Sequence, residues 1–408
     1  MIGSLYSGIS GLKANTSAMA VIGDNIANVD TTGFKSSRVS FANIFSASLS
    51  QSNLQIGRGV ALNGVNPQWE AGSLENTNCA TDLSVNGTGL FVVNDPSNDI
   101  SYYTRAGKFD WNKDGSLVTP DGYIVQGYSV DPATGNMGGI DDITLPTGTS
   151  APNPTQNISF GLNLDSRAVV GDIFPSQITT YDSLGSEAIL DIDFTRSATG
   201  WDWAVNVTHD NPLATSASNG TLSFDADGNL DPANCNPPNT NPTITLNNLE
   251  PANSTTLTWT YLDGTASDGS ITGYSAESSK TAQSQDGYPS GSLQSVAVDE
   301  DGTFTGIYSN GSMIPFAQLA LADFASYSGL AKQGANLYAE SLVSGQPLLG
   351  PPNSSSLGSI APNTLEMSNV DLGTEFVEMI TTQRAFQANS KVITTSDEIL
   401  AELLNIKR

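Results

Sequence analysis

Two apolar seams, one at each end of the chain, constrain this sequence more than any other feature. Ile2, Leu5, Ile9, Leu12, Thr16, Met19, Gly23 and Ile26 are spaced alternately by three and four, the repeat that lines one side of an α-helix. The polar Thr16 and the small Gly23 are its weak points. At 1.5 Å per residue the spacing predicts a helix over 2–27 about 39 Å long. Leu372, Phe376, Met379, Phe386, Ile393, Leu400 and Leu404 repeat the pattern at the other end, with Gln383, Ser390 and Asp397 between them and Ile399, Leu403 and Ile406 as a second stripe. Residues 370–405 read as one helix of roughly 50 Å. Such stripes must be covered. They can pair with each other as an antiparallel hairpin closing one domain, or with stripes on other copies. Both bury the same area, and spacing alone does not choose.

Between the ends the period changes to two. Leu190, Ile192 and Phe194 alternate with Asp191, Asp193 and Thr195; Trp201, Trp203, Val205 and Val207 alternate with Asp202, Ala204, Asn206 and Thr208; Leu257, Trp259 and Tyr261 alternate with Thr256, Thr258 and Thr260. Each reads as an antiparallel strand with one wet face. Asn86-Gly87, Asp114-Gly115, Asp121-Gly122, Asp227-Gly228, Asp263-Gly264 and Asp301-Gly302 punctuate them as tight turns. The fold class is therefore mainly β with α-helical termini, and discontinuous. We divide it into a terminal helical domain (1–28 and 365–408), a connecting segment (29–70), a middle β domain (71–145 and 285–364) and an inserted domain (146–284). The insert holds 15 acidic and 3 basic side chains, a net of −12, and reads as an exposed acidic β domain.

Charge narrows the function. With 41 acidic and 15 basic side chains the chain carries −26, which repels nucleic-acid backbones and anionic membrane surfaces. No apolar run is long enough to span a bilayer, and the N-terminus lacks the basic and continuous apolar regions of a secretory signal. His209, Cys79 and Cys235 are the only histidine and cysteines, too few soft ligands for a zinc or iron–sulfur centre. Two buried thiols are expected rather than a disulfide. No nucleotide-binding glycine motif occurs in a strand–turn–helix setting, and no cofactor is expected.

The remaining candidates each have a plainer reading. Asp110-Trp111-Asn112-Lys113-Asp114-Gly115, running on to Asp121, has the D-x-N-x-D-G start of a calcium loop, but its flanks are strand-like, as in a β-hairpin with a solvated turn. Asp225, Asp227 and Asp231, and Asp299, Glu300 and Asp301, gather where turns do. Asp191 and Asp193 share a strand face at about the spacing of a glycosidase pair, yet also fit a wet strand exterior. His209 reads as an exposed loop residue. Trp201 and Trp203 read as core, although a sugar platform, and with it a secreted carbohydrate-binding protein, is the alternative of a different class. The chain is not read as an enzyme.

Directly after the first seam stands Asn25-Ile26-Ala27-Asn28-Val29-Asp30-Thr31-Thr32-Gly33-Phe34-Lys35. It resembles the N-x-A-N-x-x-T-x-G-F signature of the axial proteins of the bacterial flagellum: rod, hook and hook-associated subunits. Residues 106–128 are similar to the β segment that follows in rod and hook members. Phe376–Leu404, with Thr382-Gln383-Arg384-Ala385-Phe386-Gln387-Ala388-Asn389, resembles their C-terminal helix. Thr179–Gly185 is similar to the domain inserted in hook members, which the shorter distal-rod members lack.

The resemblance implies a structural subunit whose partners are other copies of itself. In that family the terminal helices of neighbours pack into the inner wall of a hollow tube, from which β domains project. Here the interface would be Ile2, Leu5, Ile9, Leu12, Met19, Ile26, Leu372, Phe376, Met379, Phe386, Ile393 and Leu400, the last turns meeting at neighbouring subunits. The signature residues Asn25, Ala27, Asn28, Thr31, Gly33 and Phe34 would shape the exit from the helix: the asparagines bond backbone, Gly33 permits a turn with φ > 0 and Phe34 anchors the strand. A hook-type member would form a curved, flexible tube that acts as a universal joint passing torque from rod to filament, located in the hook and basal body outside the cell. The resemblance also implies rod, hook-cap and hook–filament junction proteins as partners, and a type III export apparatus that needs no cleaved signal. Phe41-Ala42-Asn43-Ile44-Phe45 is similar to the element engaging that apparatus, with Phe41 and Phe45 as its anchors. The plainer reading of those five residues is a strand or turn. A distal-rod or hook-associated subunit is the near alternative.

Overall fold

The three-four repeats at the chain ends fold as two long helices in the structure, a computed structural model that describes residues 2–45, 57–98, 100–131, 134–211, 214–216, 218–247, 249, 251–264 and 266–406. Helix α1 spans Ile2–Ala27 and α2 spans Leu372–Ile406. Asp371 starts α2 by accepting the Gly373 and Thr374 N–H groups at 2.8 and 3.4 Å, the usual service of an aspartate to unpaired first-turn donors. Among the described residues, thirty-one strands lie between them. The chain forms two compact units: Met1–Thr147 with Val296–Gly306 and Ile314–Arg408, and Gly148–Ser295 with Ile307–Met313.

In the first unit, β1 (Ser37–Phe45) and β2 (Gly57–Pro67) form an antiparallel ribbon. The segment 29–70 is thus a built element packed on α1, not a bare connection; its residues 46–56 lie outside the described ones. The Ser10 hydroxyl accepts from the Val60 N–H at 3.2 Å, seating β2 on the helix. The β core of this unit centres on Leu90–Asp95, paired on one side with Ile100–Thr104 and on the other with Ile124–Val130. Leu90, Phe91, Val92 and Val93 are all buried because this strand is covered on both faces: Phe91 and Val93 join Leu83, Phe109, Leu117 and Phe304, while Leu90 and Val92 join Tyr103, Phe324 and Tyr338.

The second unit is a two-sheet sandwich made by the alternating strands. Ile173–Tyr181, Glu187–Arg196, Trp201–His209 and Asn219–Leu222 make one antiparallel sheet. Register sets Phe194 opposite Trp203 and Ile192 opposite Val205, so the apolar set of each strand shares one face. The other sheet contains Thr243–Asn247, Thr255–Trp259, Asn157–Asn163 and Ser279–Gln285. Between them Trp259 meets Trp203 and Tyr261 edge-on, each at 5.4 Å between ring centres, a favoured aromatic geometry. All six turn glycines, Gly87, Gly115, Gly122, Gly228, Gly264 and Gly302, have positive φ.

Candidate assembly surface and its anchoring node

The two terminal helices pair with each other inside one chain. Ser4 meets Ser396 at 3.4 Å, Gly8 lies against Ile393, Gly11 against Asn389, and the Asn25 amide donates to Glu375 Oε1 at 2.9 Å. These contacts define an antiparallel pair in constant register. The face of α1 turned to α2 is therefore Ser4, Gly8, Gly11 and Asn25, with Ala18 and Ile22 on the same stripe and buried. The larger seam lies one residue on, about 100° round the helix. The expected pairing of the N- and C-terminal helices is made here within one chain: small residues let the two backbones approach at this face, and the large seam lies beside it. Leu5, Leu12, Met19 and Ile26 end half-buried and Ile9 stays exposed; the Ile2 side chain is outside the described ones.

On α2 the contacts of Glu375, Asn389, Ile393 and Ser396 mark the paired stripe. Met379, Thr382, Phe386 and Leu400 fall on it by spacing and are half-buried. The positions between the large residues are Thr382, Asn389 and Ser396, each one residue before the expected Gln383, Ser390 and Asp397, because α1 approaches from that side. Phe376 lies off this stripe and Leu372 falls on it at the first turn, and both are exposed along with Val377 and Ile380. The helix pair consequently hides small and polar groups and leaves large apolar ones on the surface, the reverse of a finished core.

The signature closes the exit from α1. Asn25, 2 % exposed, accepts the Ser37 N–H at 2.9 Å and donates to the Ser37 carbonyl at 3.0 Å, tying helix end to strand start. Asn28 donates to the Asp24 carbonyl and accepts from the Thr31 hydroxyl. Gly33 has φ +68°, and a Cβ there would lie 2.5 Å from the Ala106 nitrogen, so both conformation and space demand glycine. Phe34 is buried under the Lys332 ammonium, 6.0 Å from its ring centre. Ala27 ends the helix on its exposed side.

Behind the signature sits a buried ionic node to which no sequence motif points. Glu366 takes Lys35 Nζ on one carboxylate oxygen and Arg105 Nε on the other, both at 2.6 Å. The Gly72 N–H adds a bond to Oε1 at 3.0 Å. Lys35 also donates to the Glu70 carbonyl at 2.7 Å, and Arg105 to the Val85 and Gly87 carbonyls at 2.7 Å each and to Gly89. Burial by itself would raise the Glu366 carboxyl, but the Arg105 charge and the bonds from Lys35, Arg105 and Gly72 outweigh it and hold it below the usual range. At Glu375 burial wins, helped by nearby Glu378 and Asp371 against the Asn25 bond, and its carboxyl is raised.

The chemical candidates resolve into ordinary structure. The Asn112 carbonyl oxygen Oδ1 is taken by the Asp114 and Ser116 N–H groups at 2.9 and 2.8 Å, making Asp110–Gly115 a hairpin turn. Asp225 accepts the Asp227 and Asn229 N–H groups, Asp231 caps a short 3-10 turn and Asp299 accepts from Thr303. Among the described residues no cluster of three metal-ligating side chains occurs. Asp191 and Asp193 stay on the outer strand face, where Gln177 donates to Asp191. His209 is not the exposed loop residue expected: it ends a strand with its side chain 3 % exposed, accepting from the Asn211 N–H and facing Asp182 Oδ2 at 3.3 Å. Asp182 is drawn there by its own turn, which explains the burial. Trp201 and Trp203 are each 2 % exposed, which removes the sugar platform. Cys235 is buried and Cys79 exposed, both free; the expectation of two buried thiols fails at Cys79. Phe41 is exposed on β1 opposite Leu62; the Phe45 side chain is outside the described ones. No helix among the described residues is long and apolar enough to cross a membrane.

Comparison with known proteins agrees with this architecture. Four family models match: a flagella basal body rod protein model at 5–35, the flagellar hook protein FlgE/F/G D1 domain at 84–161, the flagellar basal body protein FlaE D2 domain at 173–288, and the flagellar basal body rod FlgEFG protein C-terminal model at 361–406. The flagellar hook protein FlgE of Borreliella burgdorferi is 34 % identical, with all of both chains covered. That of Treponema pallidum is 34 % identical at the same coverage, and that of Salmonella typhimurium 33 % identical over 99 % of this chain and 100 % of its own. The crystal structure of Helicobacter pylori flagellar hook protein FlgE2 shares the fold, with a TM-score of 0.51 at 16 % identity over 72 % of this chain and 100 % of that one. A helical pair built from the two chain ends, a signature turn that only glycine can make and full-length identity above three in ten meet in one conclusion: the chain belongs to the flagellar hook protein family.

Proposed function

We propose that this structural hook subunit polymerises through its helical pair into a flexible tube that serves as a universal joint between rod and filament. The observation that supports this reading is the apolar surface left open on both helices, at Ile9 on α1 and at Leu372, Phe376, Val377 and Ile380 on α2. Neighbouring copies cover those groups, joined by the half-buried Leu5, Leu12, Met19 and Ile26 and by the parts of Met379, Phe386, Ile393 and Leu400 that α1 leaves uncovered. Ile2, whose side chain is outside the described ones, joins this interface by its spacing alone. Contacts made by the acidic β unit are wet and weakly held, so they exchange as the tube bends during rotation. Rod, hook-cap and hook–filament junction proteins take the two ends of the polymer. The type III export apparatus reads the Phe41–Phe45 element, and the subunit reaches the cell exterior without a cleaved signal.

Ile9→Asp and Phe376→Asp test it. Each residue is close to half exposed, so the single-copy protein should keep its circular dichroism and melting temperature. Salt-induced assembly, viewed by electron microscopy, should give no tubes. Normal tubes from both variants would show that these side chains are not the interface.

A further inference from the structure

Among the described residues the two most exposed large apolar side chains lie away from the helices. Leu342 and Val343 are 105 % and 74 % exposed, and a few residues on along the chain Leu348 and Leu349 are 68 % and 44 % exposed. They are not on a loose loop. The Ser341 hydroxyl donates to the Gly329 carbonyl at 2.6 Å and accepts the Val343 and Ser344 N–H groups at 3.0 and 3.2 Å. The fully buried Ser344 accepts the Ser341 N–H at 2.8 Å. Gly345, at φ +77°, completes the reversal. The turn is held so that its two aliphatic groups stand exposed, and Leu342 lines, with Glu340, Ser341, Gly345 and Gln346, a depression of about 510 Å³. Leu348–Gly350 then forms an edge strand, paired among the described residues only with Leu321–Asp323.

Charge identifies what covers this surface. Residues 341–365 include no charged side chain, although the chain as a whole carries −26. Two copies of so acidic a molecule repel wherever their carboxylates face each other, and they approach at least cost where these are few; at this patch Glu340 lines the depression and Asp323 stands opposite Leu348. A preorganised apolar knob also loses little conformational entropy when it docks. We propose that the Ser341–Gly345 turn and the Leu348–Gly350 edge form a second contact surface for another copy of this chain, separate from the helical seams. A knob that seats on a different patch of its neighbour is a head-to-tail contact, the kind that propagates as an open helix instead of closing a dimer. The inference rests on the reading that the chain polymerises.

The test is Leu342→Ser with Val343→Ser in the full-length protein, followed by light scattering and sedimentation during salt-induced assembly. The expected result is an unchanged monomer melting temperature and a rise of about ten-fold or more in the protein left soluble beside polymer. A variant that assembles like the parent overturns this proposal alone, including when it has lost binding to some other protein. Failure of the parent to assemble at all overturns the polymer reading and this inference with it. Should the double variant not fold, hydrogen–deuterium exchange on the parent decides: amides of 341–349 must slow on polymerisation, and equal exchange in monomer and polymer refutes the contact.

Discussion

Three residues from distant parts of the chain, Lys35, Arg105 and Glu366, hold the first unit together at one buried point. Removing one partner of a buried ion pair costs about 3–5 kcal/mol, because the other charges stay buried without compensation. Glu366→Gln should therefore lower stability by about that amount in a denaturant titration of the first unit. The pH dependence follows from the depressed Glu366 carboxyl. Its contribution is complete above the ordinary glutamate range and is lost as pH falls through its folded pKa. Acid unfolding of the parent should show this loss, and the Gln variant should show a shallower acid limb. Gly33→Ala meets both a left-handed φ and the Ala106 backbone, so it should be markedly destabilising where an alanine at exposed Gly122, similarly left-handed but with open space around it, costs less. The signature glycine is legible as a turn from the residues on either side of it. The node is not: its bonds join residues separated by 261 and 331 positions, and no local pattern records such a meeting.

At the scale of elements, helix existence and length followed from spacing, as did the inward faces of the sandwich strands. The pairing face did not. Large apolar residues dominate any reading of periodicity, while the helices meet through Gly8 and Gly11, whose value is the side chain they lack. Gly11→Leu, placed against Asn389, should wedge the pair apart: amide protection along α2 should fall while the sandwich melts as before. Glu375 links the pair to pH in the opposite sense to the node. A raised carboxyl disfavours the folded pair while ionised, and that cost is relieved as pH falls through its folded value. Mild acid should tighten the α2 N-terminus, read as slower exchange of its first-turn amides, and Glu375→Gln should abolish the response.

For the whole molecule, the dominant number is a net charge of −26. Like-charged copies associate only when their repulsion is screened, and the screening length falls from about 30 Å at 0.01 M salt to about 3 Å at 1 M. Assembly followed by light scattering should therefore start at lower protein concentration as sodium chloride rises across that range. A flat dependence would mean that the acidic surface plays no part in holding copies apart. Family and general architecture were visible in the sequence because signature, seams and turns are local. The choice between a stripe covered at home and one left open was not, since it depends on which neighbour arrives first.

If the chain is delivered through a narrow passage, as proposed, the Glu366 tie also sets an order of events. Led by its N-terminus, the polypeptide brings Lys35 and Arg105 out early, and they wait for a counter-ion until nearly everything has followed. Led by its C-terminus, the carboxylate waits instead for Lys35. Whichever end goes first, the last stitch of this unit is sewn only when the thread is almost fully drawn.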